Sequence, residues 1–149
     1  MEKKNKEPNK QERLSPSQEH EIRVKKVHDL RQKGIEPWPE KKDVSATAQQ
    51  VLDEFKDGSG QDYTVGGRLI AIRGHGKTAF AKLQDRSGQI QLYFKKDILG
   101  DQAFGLFQDY IDLGDILWIK GIPFKTKTGE ITLKVDEFTL LSKCLHPLP

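Results

Sequence analysis

The sequence is poor in the residues that build disulfides, metal clusters and membrane spans. Its one cysteine, Cys144, excludes an intramolecular disulfide, and with scattered histidines it excludes a cysteine-rich zinc site. The longest aliphatic or aromatic runs reach about four residues, such as 116–119, whereas a membrane-spanning helix needs roughly 20. The first residues lack the apolar core of a secretory signal. We therefore expect a cytoplasmic protein without a membrane partner.

The composition also limits what the chain can contain. Hydrophobic residues make up 35% of the 149 residues and charged residues 32%, with a mean hydropathy of −0.68. This length suits one ordinary domain with appended segments. The sequence shows no phosphate-binding loop, no nucleophile–base pair and no catalytic pair of carboxylates. We expect no catalytic residue, no metal site and no cofactor within these residues.

The most informative stretch is residues 68–94, which predicts a hairpin. Apolar and polar residues alternate on both sides of Asp85-Arg86-Ser87-Gly88, which has the Asp and Gly that a type I turn prefers. Alternation with a period of two is typical of a half-buried strand. The pattern predicts one buried set on each strand: Ala79, Ala81 and Leu83, then Ile90, Leu92 and Phe94. Phe80 and Gln91 then project outward together, with Phe80 opposite Tyr93.

An exposed phenylalanine beside amides and cations is typical of a site for single-stranded nucleic acid. The ring can stack a splayed base, a glutamine amide can pair with a base edge, and cations can follow phosphates. The candidate phosphate contacts are Arg68, Arg73, Lys77 and Lys82. The alternative is an ordinary solvated sheet face, because single exposed apolar residues are common on protein surfaces.

The N-terminal part divides into a tail and a helical segment. Residues 1–14 have almost nothing to bury and predict a disordered basic tail, followed by a helical segment over 15–60. Ser15 and Gln18 form a capping box around Pro16. Gly34 can end this helix in a Schellman motif, with Ile35 against Leu30.

Two stripes run along this first helix. Ile22, Val27 and Leu30 form a thin apolar stripe. Arg23, Lys26 and Lys33 form a basic ridge, which we expect either to follow an RNA backbone or to remain solvated.

The rest of the chain predicts a mainly β fold. A capping box at Thr47 and Gln50 opens a short helix, and a first strand runs from about 61 to 73, with a bulge or sharp bend at Gly66-Gly67. After the hairpin come a helical segment near 97–111 with Phe104, Phe107 and Ile111 inward, and strands near 116–125 and 130–141. Five strands with a helix between the third and fourth indicate an OB-fold Greek-key barrel over 61–144.

The strand and loop residues also resemble a known family. The sequence is similar to the N-terminal anticodon-binding domain of bacterial-type lysyl-tRNA synthetases from about Ile22 to Pro149. The matching motifs are Gly67-Arg68, Ile72-Arg73, Gly76-Lys77, Phe80, Leu83-Gln84-Asp85, Gly88, Ile90-Gln91-Leu92-Tyr93, Leu113-Gly114-Asp115-Ile116 and the run from Phe124 to Glu130.

The resemblance implies roles for four residues and for the whole protein. Phe80 would stack the middle anticodon uridine and Gln91 would hydrogen-bond it, while Arg73 and Glu130 would contact the anticodon. The partner would be the anticodon stem-loop of tRNA(Lys). The parent enzyme, a lysine-tRNA ligase and a homodimer, would attach lysine using ATP and Mg²⁺ bound in a catalytic domain absent here.

Under this resemblance, residues 145–149 would begin the linker to that catalytic domain. The chain alone would bind tRNA but would not attach lysine to it. Two alternatives stay open. A general single-strand-binding OB module would use the same face with little base preference. A protein-interaction OB domain would use the face for packing and would not respond to RNA.

Overall fold

The structure is a computed structural model that describes residues 14–35 and 42–146, apart from the side chain of His75. The tail predicted to be disordered lies outside this range up to residue 13, as does the linker from residue 147 onward. Within the described ranges, no helix combines the length and apolar character that crossing a bilayer would need.

Five strands form a closed barrel with helices before it and between its third and fourth strands. The barrel order is β1-β2-β3-β5-β4, with β3 and β5 parallel and the other neighbours antiparallel. This arrangement confirms the predicted mainly β fold. The elements are α1 (Pro16–Gln32), α2 (Ala48–Glu54), β1 (Tyr63–His75), β2 (Thr78–Asp85), β3 (Gly88–Lys95), α3 (Lys96–Leu99), α4 (Asp101–Tyr110), β4 (Ile116–Lys125) and β5 (Ile131–Ser142).

The barrel core follows the alternation of the sequence. All six inward residues predicted for β2 and β3 are buried, as are Phe104, Phe107 and Ile111 beside the barrel. The ring of Phe107 stacks on that of Phe94 with centroids 3.9 Å apart, so α4 packs directly on the core. Burying each such aromatic side chain stabilises the fold by about 1.5–3 kcal/mol.

The helix ends form as their residues predict. The Ser15 hydroxyl accepts from the backbone N–H of Gln18, whose side chain accepts from the backbone N–H of Ser15. At the other end Gly34 has φ +81°, and the N–H of Ile35 donates to the carbonyl of Leu30, which is the Schellman pattern. The capping box of α2 at Thr47 is also present.

The bulge predicted at Gly66-Gly67 is wrong in position. Both glycines pair regularly with β4, and the register shift lies between Leu69 and Ala71. Gly67 is needed for another reason: a Cβ placed there would lie 2.5 Å from the carbonyl oxygen of Gln84. The glycine therefore permits the close approach of β1 and β2. The register shift lies just beyond the point where β1 stops pairing with β4 and continues with β2 alone.

The predicted apolar stripe of α1 is also partly wrong. Val27 and Leu30 are buried, but the side chain of Ile22 is 43% exposed. Arg23 is buried in its place. The reason is that the surface facing this turn of α1 offers backbone carbonyls, which a guanidinium can satisfy and an isoleucine cannot.

Candidate nucleic-acid interface

The register of the hairpin creates one outward surface, the outer face, formed by outward side chains of β2 and β3 and bordered by β5. Phe80 pairs with Tyr93 and Lys82 pairs with Gln91, which confirms the predicted register. Phe80 and Gln91 are half-buried, while their neighbours along the strands are buried in the core. An aromatic ring and an amide therefore lie side by side on the outer face.

The outer face carries more aromatic surface than the sequence pattern indicated. The rings of Phe80 and Tyr93 lie 4.9 Å apart, and Phe124 of β4 meets Tyr93 edge-on at 5.9 Å. Tyr93 could be found from the alternation, because it shares the outward side of β3 with Gln91. Phe124 could not, because its position depends on how β4 and β5 close the barrel.

Two cations border the aromatic row. The guanidinium carbon of Arg73 lies 5.8 Å from the ring centroid of Phe80, and the ammonium of Lys134 lies 5.4 Å from that of Phe124. In proteins that bind single-stranded nucleic acid, bases stack on aromatic rings and nearby cations contact the phosphates. Arg73 was predicted as a site residue; Lys134 was missed, since the strand pattern marks it only as exposed.

Gln91 is held in one orientation by β5. Its Nε2 donates to the hydroxyl of Thr132 at 2.9 Å, and that hydroxyl donates to the carbonyl of Glu130 at 3.2 Å. Among the described residues, the Oε1 of Gln91 has no hydrogen-bond partner. The amide therefore offers a free acceptor beside the ring of Phe80.

The Glu130 carboxylate also reaches this area. It lies 3.8 Å from the Lys82 ammonium, in an ion pair that is roughly half-exposed at both ends. Between this pair and Arg73 is a depression of about 260 Å³. The lining residues are Ala71, Ile72, Arg73, Phe80, Ala81, Lys82 and Gln91. The structure thus brings Phe80, Gln91, Arg73, Lys82 and Glu130 together.

The other two predicted phosphate contacts, Lys77 and Arg68, lie at the margins of the outer face. Lys77 is exposed in the turn between β1 and β2, where Gly76 adopts φ +59°. Arg68 is exposed as well, but its guanidinium donates to the carbonyl of Gly114 at 3.0 Å. Arg68 therefore also links β1 to the start of β4.

Two of the three cations of the predicted basic ridge, Arg23 and Lys26, are bound by other parts of the chain, whereas Lys33 is exposed. The guanidinium of Arg23 donates to the carbonyls of Leu113 and Cys144, both at 3.0 Å, and its side chain is 9% exposed. The ammonium of Lys26 binds both carboxylate oxygens of Asp112, at 2.9 and 3.0 Å. This geometry argues against phosphate contacts by Arg23 and Lys26.

Arg23 and Lys26 belong to a second polar cluster, the joint, with Asp112, Asp115 and Lys143. The ammonium of Lys143 is fully buried and lies 2.6 Å from both Asp112 and Asp115. Asp115 also accepts from the backbone N–H groups of Asp112 and Cys144, both at 2.8 Å. The joint ties α1 to the segment before β4 and to the residues after β5, and sequence reasoning missed it.

The pKa values of the two acids of the joint are shifted in opposite directions. Burial opposes ionisation of Asp112, but hydrogen bonds and charges from Lys143 and Lys26 outweigh it and lower the pKa. For Asp115 burial is the larger effect, so its pKa is raised despite the contact with Lys143. Asp112 is thus the acid whose ionisation supports the fold.

No group of three or more His, Cys, Asp or Glu within the described ranges is arranged to hold a metal ion. The joint has only two carboxylates, and both face Lys143.

Comparison with known proteins agrees with this geometry. The family model described as "tRNA_anti-codon: OB-fold nucleic acid binding domain" matches residues 63–141, which is more than half of the chain. Those residues run from the first residue of β1 to the penultimate residue of β5.

Three curated relatives are each named lysine–tRNA ligase. The chain is 42% identical over 135 residues to that of Thermotoga maritima and 43% identical over 128 residues to that of Moorella thermoacetica. It is 43% identical over 135 residues to that of Listeria innocua. These alignments cover 86–87% of this chain but only 26–27% of the relatives, so the chain spans about a quarter of their length. By its barrel and its family match, this chain belongs to the OB-fold nucleic-acid-binding domains of the tRNA anticodon type.

Proposed function

We propose that this chain binds the anticodon stem-loop of tRNA(Lys) through its outer face. The observation that carries the proposal is that a half-buried ring, Phe80, and the free acceptor of Gln91 line one depression on adjacent strands. Its similarity to lysine–tRNA ligases over most of its length supports this ligand.

Phe80 supplies the stacking surface in this proposal. The middle anticodon uridine lies on its ring, an interaction worth about 1–3 kcal/mol per base. Arg73 and Lys82 lie beside the depression at Phe80 and contact the flanking phosphates, with Lys77 and Arg68 at the margin. Glu130, which pairs with Lys82, contacts a neighbouring anticodon base.

Gln91 supplies base identity. Its Oε1 accepts from N3–H of uracil, and the second hydrogen of Nε2 donates to a uracil carbonyl. Cytosine presents an acceptor at N3, so the same amide would place two lone pairs against each other. A polar group left unpaired in a dry site costs about 1–3 kcal/mol, which sets the expected preference.

The test is a titration of labelled anticodon stem-loops, read by fluorescence anisotropy at fixed salt. The loops carry either the lysine anticodon or a cytidine at the middle position. We expect the unaltered chain to prefer the uridine loop, and Gln91→Ala to reduce that preference. Equal affinity for all loops would indicate a generic single-strand-binding module, and no response to RNA would indicate a protein-interaction domain.

We further propose that the chain is part of a cytoplasmic, homodimeric lysine–tRNA ligase, and that it contributes RNA binding only. ATP, Mg²⁺ and lysine would bind elsewhere in that enzyme. Lysine-dependent pyrophosphate exchange by this 149-residue chain alone would contradict the proposal that it contributes RNA binding only.

A further inference from the structure

Thr132 lies against Gln91 and carries a hydroxyl with a fixed role. It is fully buried on β5, directly opposite Gln91 on β3. A hydroxyl has one proton, and the carbonyl of Glu130 can only accept. The hydroxyl of Thr132 therefore donates to that carbonyl at 3.2 Å and accepts from Nε2 of Gln91 at 2.9 Å.

The carbonyl of Glu130 is itself fixed. It accepts from the backbone N–H of Thr126 at 2.9 Å, and the N–H of Glu130 donates to the hydroxyl of Thr126 at 3.1 Å. The turn between β4 and β5 thus determines the proton direction at Thr132, and Thr132 determines which end of the Gln91 amide faces outward.

We propose that Thr132 is a positioning residue that selects uridine over cytidine by fixing the orientation of the Gln91 amide. This inference rests on the proposed function. With Nε2 held by Thr132, only Oε1 and one amide hydrogen face the bound base. Without the hydroxyl, the amide is free to rotate by half a turn and to donate to N3 of cytosine.

The experiment compares Thr132→Val, which has the same shape without a hydroxyl, with Thr132→Ser, which keeps the hydroxyl. Dissociation constants are measured for the uridine and cytidine stem-loops. We expect Thr132→Val to reduce the uridine preference by about twofold to tenfold, the range of one net hydrogen bond. Thr132→Ser should retain the preference. Thr132→Ala removes the hydroxyl without branching and replaces Thr132→Val if that variant does not fold.

A second background separates positioning from damage to the barrel. In Gln91→Ala, Thr132→Val should leave the remaining uridine-to-cytidine ratio unchanged, because no amide is left to orient. An equal loss of preference in both backgrounds would overturn the inference, as would an unchanged ratio in the single variant. If the unaltered chain showed no uridine preference, the proposed function would be contradicted, and this inference, which rests on it, would be contradicted as well.

Discussion

The outer face and the joint contain similar residues and use them in opposite ways. In the joint, Lys26 and Lys143 bind carboxylates within 3.0 Å, and Lys143 is fully buried. On the outer face, Lys82 has one ion pair at 3.8 Å, roughly half-exposed, and Arg73 lies over a ring. The charged groups of the joint bind one another, whereas the outer face keeps hydrogen-bonding groups available for a ligand.

This difference shows why counting basic residues does not locate a phosphate site. Arg23 and Arg73 are equally charged, but Arg23 is enclosed by carbonyls from two distant parts of the chain. A buried cation has already exchanged water for protein partners, and removing it leaves those partners unpaired. An exposed cation beside an aromatic ring can still exchange water for a phosphate.

The largest effect should come from the joint. Lys143→Met leaves Asp112 and Asp115 without their shared ammonium, and an uncompensated buried charge costs about 3–5 kcal/mol. Urea unfolding should show this loss of stability. The control is Lys127→Ala on an exposed turn, which should change stability by less than about 0.5 kcal/mol. Equal stability of both variants would contradict the importance of the joint.

A smaller effect is expected for stacking on the outer face. Phe80→Leu keeps an apolar side chain but removes the ring, so RNA affinity should fall by about 1–3 kcal/mol for uridine and cytidine loops alike. Phe80→Tyr keeps the ring and should bind nearly as the unaltered chain does. Anisotropy titrations measure both variants. Full RNA affinity in Phe80→Leu would contradict the proposal that a base stacks on the ring of Phe80.

The stabilisation that the joint provides should depend on pH through the ionisation of Asp112. Its pKa is lowered below the ordinary value of 3.8, so its stabilising contribution is complete above that value and is lost as the pH falls below it. Asp112→Asn should therefore cost about 1.5–3 kcal/mol at pH 7, as expected for hydrogen bonds to charged groups. Near pH 3 the difference from the unaltered chain should shrink. Urea unfolding at both pH values measures it, and a difference that grew in acid would contradict the assignment.

The smallest effect concerns salt. Arg73→Ala should reduce the slope of log affinity against log salt by about 0.7, the value for one phosphate contact on a single strand. Lys26→Ala should leave the slope unchanged, because Lys26 is engaged by Asp112. Titrations over a range of salt concentrations measure both slopes. The reverse pattern would restore the ridge on α1 as the phosphate contact.

The contrast also explains what could be predicted from the sequence. The hairpin face follows from alternation within a few residues of one turn, so Phe80, Tyr93 and Gln91 could be placed in advance. The caps at Ser15 and Gly34 are local for the same reason.

The joint depends on pairs far apart in sequence. Lys26 and Asp112 are 86 positions apart, and Arg23 and Cys144 are 121 positions apart. No local pattern specifies such pairs. The bond from Gln91 to Thr132 likewise depends on the parallel pairing of β3 and β5, which closes the barrel. Barrel closure therefore decides which polar side chains stay free.

The most direct test maps the RNA contact residue by residue. Isotope-labelled chain is titrated with the lysine anticodon stem-loop, and backbone and side-chain amide shifts are followed by NMR. We predict the largest shifts at Phe80, at the side-chain amide of Gln91 and at Thr132, with little change around Lys26 and Asp112. Shifts centred on α1 and the joint, with the Gln91 amide unmoved, would contradict this prediction.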